Sequence, residues 1–222
     1  MNLENKMFEI KACIFDLDGV IVDTAGYHYE AWKRLANQLN FDFTEEDNEK
    51  LKGISRKESL ELILHWGMVS KTSAEKDELA QLKNTWYVEM ISGMTPADVL
   101  PGALKFLQDI KTAGYKIALG SASKNAGIIL NKVELTDYFD AIVDGNVVTE
   151  SKPDPQVFLK GAEMLGIKPA ACVVFEDAIA GIDAAKGGGM KVVGIGSIET
   201  LAGADLIIAG LHEMNIQKLK DL

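Results

Sequence analysis

Two cysteines in 222 residues are too few for a disulfide framework. Both, Cys13 and Cys172, sit inside apolar runs of the kind that become buried strands, so they are expected to be small core residues in a reducing cytoplasm. No stretch approaches the roughly 20 apolar residues of a membrane span, and residues 1–9 have no apolar core of the kind a secretory leader needs. Positive charge is also short: 23 Lys and Arg face 33 Asp and Glu, a net charge of −10. That balance argues against nucleic acid or an anionic membrane as partner. An anionic small molecule must then be held by local cations and a metal, not by the global field. No Gly-x-Gly-x-x-Gly follows the first apolar strand, which removes a dinucleotide site of that type. Internal repeats and low-complexity tracts are absent as well.

What is present concentrates at one stretch. Residues 12–15, Ala-Cys-Ile-Phe, make a short continuous apolar run, the pattern of a strand buried on both faces. Asp16, Asp18 and Gly19 follow at once. A glycine there lets the backbone turn sharply, so both carboxylates project past the strand's C-terminal end, the ligand edge of an open α/β sheet. Carboxylates this close repel each other unless a proton or cation separates them, and hard oxygen ligands suit Mg²⁺. Once neutralised, one carboxylate can attack phosphorus while the other gives or takes a proton. Taken alone, Asp-x-Asp-Gly also suits a plain polar turn.

Beyond Thr24 the periodicity becomes helical. Tyr27, Ala31, Leu35 and Leu39 recur four apart; Leu60, Ile63 and Leu64 share one face of a helix over 57–66. Thr72-Ser-Ala-Glu75 has the spacing of a capping box and opens a third helix through Leu79, Leu82, Trp86 and Met90. No strand pattern interrupts them, so residues 25–94 read as a helical cap inserted into a core of residues 1–24 and 95–222. From Pro101 onward helix and strand alternate. Strands are expected over 115–120, 141–144, 172–175, 191–195 and 205–208, and helices over 102–112, 125–134 and 178–187. A further helix is expected with Asp154 as its cap, Pro155 at its first position and Gly166 near its end. The fold class is therefore α/β: a doubly wound, mostly parallel sheet with right-handed crossovers and an inserted α-helical cap. Gly187-Gly188-Gly189 reads as a helix C-terminus, since no helix N-terminus follows it to bind a phosphate.

Three more polar groups fall at strand ends. Gly120-Ser-Ala-Ser-Lys-Asn125 offers backbone N–H groups and a hydroxyl to an anion, with charge from Lys124, although the same residues suit ordinary helix capping. Lys152 lies in Ser-Lys-Pro-Asp-Pro, where Pro153 biases it to an extended conformation; a lysine in isolation is more often a surface residue. Glu176-Asp177 ends another apolar strand and puts a second acidic pair on the edge that carries Asp16 and Asp18.

In this order, Phe15-Asp-Leu-Asp-Gly-Val-Ile-Val-Asp-Thr24, Ser121, Lys152 and Glu176-Asp177 resemble the four motifs of the haloacid dehalogenase superfamily of phosphotransferases. The resemblance implies that Asp16 is the nucleophile and Asp18 the general acid/base. Ser121 would hold the transferring phosphoryl group, and Lys152 would stabilise the charged nucleophile and the phosphoryl oxygens. It further implies Mg²⁺ held by a set drawn from Asp16, Asp18, Glu176 and Asp177, with Glu176 bound directly or through an intermediary.

Within the superfamily, Asp23 to Trp32, Leu51-Lys-Gly-Ile-Ser-Arg-Lys-Glu-Ser-Leu60, Lys83-Asn84 and Gly120 to Asn125 resemble the sugar-phosphate mutases. That resemblance implies interconversion of β-D-glucose 1-phosphate and β-D-glucose 6-phosphate through an aspartyl-phosphate. β-Glucose 1,6-bisphosphate would be activator and intermediate; a sugar-phosphate phosphatase is the alternative. Arg56 would grip the distal phosphate with Ser123, Lys124 and Asn125, using the planar fork that pairs two phosphate oxygens at once. Trp32, Gly53, Ile54 and Ser59 would shape the sugar pocket, Thr24 and Ala122 would join the substrate contacts, and Lys83 would reach the sugar or its phosphate. His28 would hydrogen-bond Asp18 as the cap closes. On an amphipathic helix His28 and Trp32 also suit structural roles. Gly26 stands where the family often has an acidic residue. The partners implied are small sugar phosphates, and the chain is expected to act as a monomer.

Overall fold

Six strands form one sheet in the order β3-β2-β1-β4-β5-β6, and every neighbouring pair is parallel. They are β1 (Ala12–Phe15), β2 (Lys116–Gly120), β3 (Ala141–Val143), β4 (Cys172–Glu176), β5 (Lys191–Ile195) and β6 (Leu206–Ile208). The computed structural model describes residues 9–222. Residues 1–8, which include most of the stretch expected to lack an apolar leader, lie outside the described residues. Among the described residues no helix is long and apolar enough to cross a membrane.

The strands are apolar on both faces because both are covered. On one side Cys13 and Phe15 of β1 pack with Phe106, Leu107, Ile110, Ile129 and Leu130. On the other, Ala12 and Ile14 pack with Val157, Phe158, Ala162, Ile182 and Ala185. These partners come from α5 (Ala103–Thr112) and α6 (Ala126–Lys132) on the first face, and α7 (Gln156–Leu165) and α8 (Ile179–Gly187) on the second. Cys13 and Cys172 are both buried free thiols, as expected of small core residues.

Four helices follow β1 before the chain reaches α5 and β2: α1 (Ala25–Gln38), α2 (Glu45–Glu49), α3 (Arg56–Trp66) and α4 (Ser73–Ile91). Both α3 and α4 start with a full capping box, Ser55 with Glu58 and Thr72 with Glu75. The five-residue α2 is an addition to the expected elements. Its Thr44–Asp47 capping box is visible in the sequence, but it has no apolar periodicity to flag it. An isolated bridge joins Val22 to Val99, so the chain leaves the sheet for these helices and returns at adjacent points. The helix expected to have Pro155 at its first position begins at Gln156 instead. Pro155 is its N-cap residue, and Asp154 accepts from the Gln156 N–H at 2.9 Å. A short α9 (Ile216–Lys220) closes the chain.

Strand order reverses between β1 and β4, which makes the C-terminal ends of these two strands the natural ligand crevice. Phe15 and Phe175 are register partners there. Their rings stack 4.6 Å apart at 9°, with Phe106 edge-on to both at 6.1 and 5.4 Å. Each is followed at once by an acidic residue of the crevice, so this aromatic trio holds the floor under Asp16 and Glu176. Phe106→Ala, remote from any polar site residue, is expected to cost about 3–5 kcal/mol in urea unfolding. A loss below about 1 kcal/mol would mean that the trio does not anchor the crevice.

Candidate active site

The end of β1 continues its ladder by one residue, Asp16 N–H donating to the Phe175 carbonyl at 3.0 Å. That bond aims Asp16 along the crevice beside Glu176 and Asp177. The carboxylate oxygens of these three residues lie within 4.8 Å of one another. Two glycines make the crowding possible. Gly19, at φ +80°, would carry a Cβ 2.2 Å from Asp177 Oδ2, and a Cβ on Gly181 would lie 2.0 Å from Glu176 Cδ. Lys152, 1 % exposed, sits within the cluster and donates to Asp16 Oδ1 at 2.5 Å and Glu176 Oε2 at 2.8 Å. Glu176 Oε1 also accepts from the Asp177 and Ala178 N–H groups at 3.2 and 3.1 Å.

Burial works against the charge on Lys152, but Asp16 and Glu176 outweigh it and push its pKa above the usual lysine value. Burial raises Glu176, and Lys152 pulls it back. Burial and then Asp16 push Asp177 up to about 6, against Lys52. Asp18 points elsewhere: its carboxylate accepts from the Thr24 hydroxyl. Burial and then Asp16 raise Asp18 to about 7, against the Thr24 hydrogen bond. A carboxyl poised there can both give and take a proton near neutrality.

After β2, Ser121 is buried, and its Oγ accepts from the Ser123 N–H at 3.1 Å, leaving the hydroxyl proton free to donate outward. The helical insertion supplies cations opposite. Lys83, 1 % exposed, lies 4.4 Å from the Trp32 ring centroid and 4.7 Å from that of Tyr87. Its Nζ donates to His28 Nδ1 at 2.9 Å. Burial and Arg56 hold Lys83 well below the usual lysine value, and burial with Lys83 and Arg56 keeps His28 well below the usual imidazole value, hence neutral. Arg56 is the first residue of α3 and half-buried, with burial the main influence on it.

A cavity of about 590 Å³ joins the two sides. Asp16, Asp18 and Ser121 line it, and so do His28, Trp32, Gly53, Ile54, Arg56, Ser59, Lys83, Ala122, Ser123, Lys124 and Asn125. Thr24, expected among the substrate contacts, is not part of the cavity wall; its side chain is fully buried and hydrogen-bonded to Asp18. In this structure Asp18 accepts from Thr24 and His28 pairs with Lys83, so the His28–Asp18 hydrogen bond expected on cap closure is not formed in this arrangement. Asp18 is also not in the acidic triplet, whose side-chain donors are Asp16, Glu176 and Asp177. Two residues escaped the sequence reading. Lys52 lines the cavity and pairs with Glu49 at 2.8 Å and Asp177 at 3.4 Å. Tyr87 lines it with a buried hydroxyl, its ring 4.2 Å from that of His28 and tilted 36° to it. The Lys52 signal was its place before Gly53; Tyr87 reads only as a core aromatic.

Three converging carboxylates with a single buried ammonium between them make a hard-oxygen donor set that fits a divalent cation. Asp18 and Asp177 have raised folded pKa values. The stability they contribute is present at low pH and is lost as pH rises through about 7 and about 6. A cation that restores balance should therefore help most above those values. Mg²⁺ added to chelator-treated protein is expected to raise the melting temperature more at pH 7.5 than at pH 5.5. No shift at either pH, or the larger shift at pH 5.5, would count against this donor set.

A model of the haloacid dehalogenase-like hydrolase family matches residues 10–189. A β-phosphoglucomutase of Bacillus subtilis is 47% identical over 214 residues, covering 96% of this chain and 95% of that protein. A phosphorylated carbohydrates phosphatase of Thermotoga maritima is 31% identical over 82% of this chain and 83% of its own length. Among solved structures, a β-phosphoglucomutase of Clostridium difficile superposes with a TM-score of 0.93 at 43% identity, over 96% of each chain. With a family match spanning most of its length and its acidic motifs gathered at one strand switch, the chain belongs to the haloacid dehalogenase-like hydrolase family.

Proposed function

We propose that the chain moves a phosphoryl group between the C1 and C6 oxygens of β-D-glucose, interconverting β-D-glucose 1-phosphate and β-D-glucose 6-phosphate through β-glucose 1,6-bisphosphate. The observation that carries this reading is that one cavity is lined by two separate groups of residues, each suited to a phosphate. Asp16, Asp18 and Ser121 line it, and so do Arg56, Ser123, Lys124 and Asn125. A phosphatase needs only the first site, whereas a mutase working through a bisphosphate needs both. The likeness to β-phosphoglucomutases over nearly the whole chain supports the same choice.

In this mechanism an Asp16 oxygen attacks phosphorus and the bond from phosphorus to the sugar oxygen breaks, with Asp18 delivering its proton to the departing oxygen. The free hydroxyl of a β-D-glucose monophosphate, whose own phosphate sits at the distal site, then returns a proton to Asp18 and attacks the aspartyl-phosphate to give β-glucose 1,6-bisphosphate; the bisphosphate turns end for end, the first step repeats on its other phosphate, and the isomeric monophosphate leaves. Lys152 holds Asp16 in place, and the Ser121 hydroxyl donates to a phosphoryl oxygen. Asp16, Glu176 and Asp177 would hold Mg²⁺, which would supply charge neutralisation for nucleophile and phosphoryl group. Glu176 accepts from Lys152 and two backbone amides, which supports a partly indirect role at the metal.

Residues 25–94 act as a cap over a core of residues 1–24 and 95–222, a division supported by the adjacent crossing points at Val22 and Val99. Closure brings Arg56 over the distal phosphate and shuts out water, the competing acceptor. Buried free thiols support the cytoplasm.

The test is a paired assay with β-glucose 1-phosphate, Mg²⁺ and a trace of β-glucose 1,6-bisphosphate, following glucose 6-phosphate and free phosphate together. Glucose 6-phosphate is expected to form far faster than phosphate, and Asp16→Asn to abolish both. Phosphate without glucose 6-phosphate would make the enzyme a sugar-phosphate phosphatase. Arg56→Ala is expected to slow transfer at least a hundredfold while slow phosphate release from the aspartyl enzyme changes little; equal losses would remove Arg56 from the distal site.

A further inference from the structure

Asn125 is the N-cap residue of α6, a position where asparagine normally accepts a backbone N–H and stabilises the helix. Here it makes no side-chain cap hydrogen bond. Its side chain, on a residue only 8 % exposed, instead donates from Nδ2 to Asn84 Oδ1 at 2.9 Å, across 41 residues of sequence. Asn84 belongs to α4, follows Lys83 directly and is half-buried. Asn125 lines the cavity, whereas Asn84 is not part of its wall. The Asn125 backbone is tied separately, its N–H donating to Ser123 Oγ at 3.2 Å.

We propose that Asn84 is a positioning residue that sets the Asn125 amide for the distal phosphate and makes that grip conditional on cap position. The inference rests on the mutase reading and deepens it. An amide side chain has a donor end and an acceptor end of nearly the same shape. With one N–H committed to Asn84, the amide is fixed, and its second N–H keeps a defined direction toward the cavity. Without Asn84 the side chain is free to turn its carbonyl oxygen toward the phosphate, where it repels, or to fall back to capping α6. Because Asn84 comes from the insertion and Asn125 from the sheet side, the bond exists only while α4 sits against the core. Arg56 and Asn125 are thereby assembled in the same movement.

The experiment compares wild type with Asn84→Leu, which keeps the bulk of the side chain and removes the acceptor. KM for β-glucose 1-phosphate is expected to rise about tenfold, the scale of one lost hydrogen bond to a charged ligand's partner. Phosphate release by the aspartyl enzyme in the absence of sugar is expected to stay within twofold of wild type, since that reaction does not use the distal site. Asn84→Ser, too short to reach Asn125, is expected to behave alike and serves if the leucine variant does not fold. An unchanged KM in a wild-type background that makes glucose 6-phosphate overturns this inference alone. Transfer and phosphate release falling together also overturn it, because that pattern marks a structural role. A wild-type enzyme that releases phosphate without forming glucose 6-phosphate overturns the mutase reading beneath it.

Discussion

Three carboxylates crowd the reversal of strand order, and Lys152 is the one ammonium buried among them. Buried charges are tolerated only when paired and hydrogen-bonded, and removing one member of such a cluster leaves another uncompensated. Much of the surrounding architecture serves this constraint. The phenylalanine stack sets the register that brings Asp16 beside Glu176, and the missing side chains at Gly19 and Gly181 leave the carboxylates room. Lys152, with Lys52 at 3.4 Å from Asp177, does not balance three carboxylates. The residual negative charge is what gives the crevice its appetite for a divalent cation.

Across the cavity the sign reverses. Among the described residues neither Lys83, buried, nor Arg56, half-buried, forms an ion pair with a carboxylate, and the faces of Trp32 and Tyr87 lie against the Lys83 amine instead. A protein of net charge −10 thus holds a local positive wall opposite an acidic floor. Desolvated cations of this kind interact strongly with a phosphate once water leaves. The same pattern of diverted side chains recurs at both ends of the site. Thr24 and Asn125 each occupy an N-cap position without capping, and each gives its polar group to the site: Thr24 to Asp18, Asn125 to Asn84.

The sheet and most helices were legible because their signals are local. Ala12–Phe15 is a continuous apolar run, the α4 capping box is four consecutive residues, and the glycine at 166 ends α7 in the left-handed conformation expected of a C-terminal stop. The misses are also local in cause. Five-residue α2 lacks a periodic face, and the start of α7 shifted by one residue because Pro155 is compatible with either the cap or the first turn. For the site, motif spacing at strand ends placed Asp16, Ser121 and the Glu176-Asp177 pair on one edge, whereas Lys152 reaches it from the loop between β3 and α7. Parallel strands in a single sheet leave their C-terminal ends nowhere else to be.

The amino-acid sequence by itself determined the α/β alternation, the helical insertion after Thr24 and the acidic, hydroxyl and lysine groups at the strand ends, since each depends on residues adjacent in the chain. Only the tertiary structure decided which side chains meet. Thr24 rather than His28 bonds Asp18, Lys83 rests between His28 and two aromatic rings, Lys52 reaches Asp177, and Asn84 holds Asn125. The physical reason is range. A hydrogen bond or ion pair has to close within about 3 to 4 Å, and that precision between segments far apart in sequence comes from how helices pack on a sheet. No spacing in the chain encodes it.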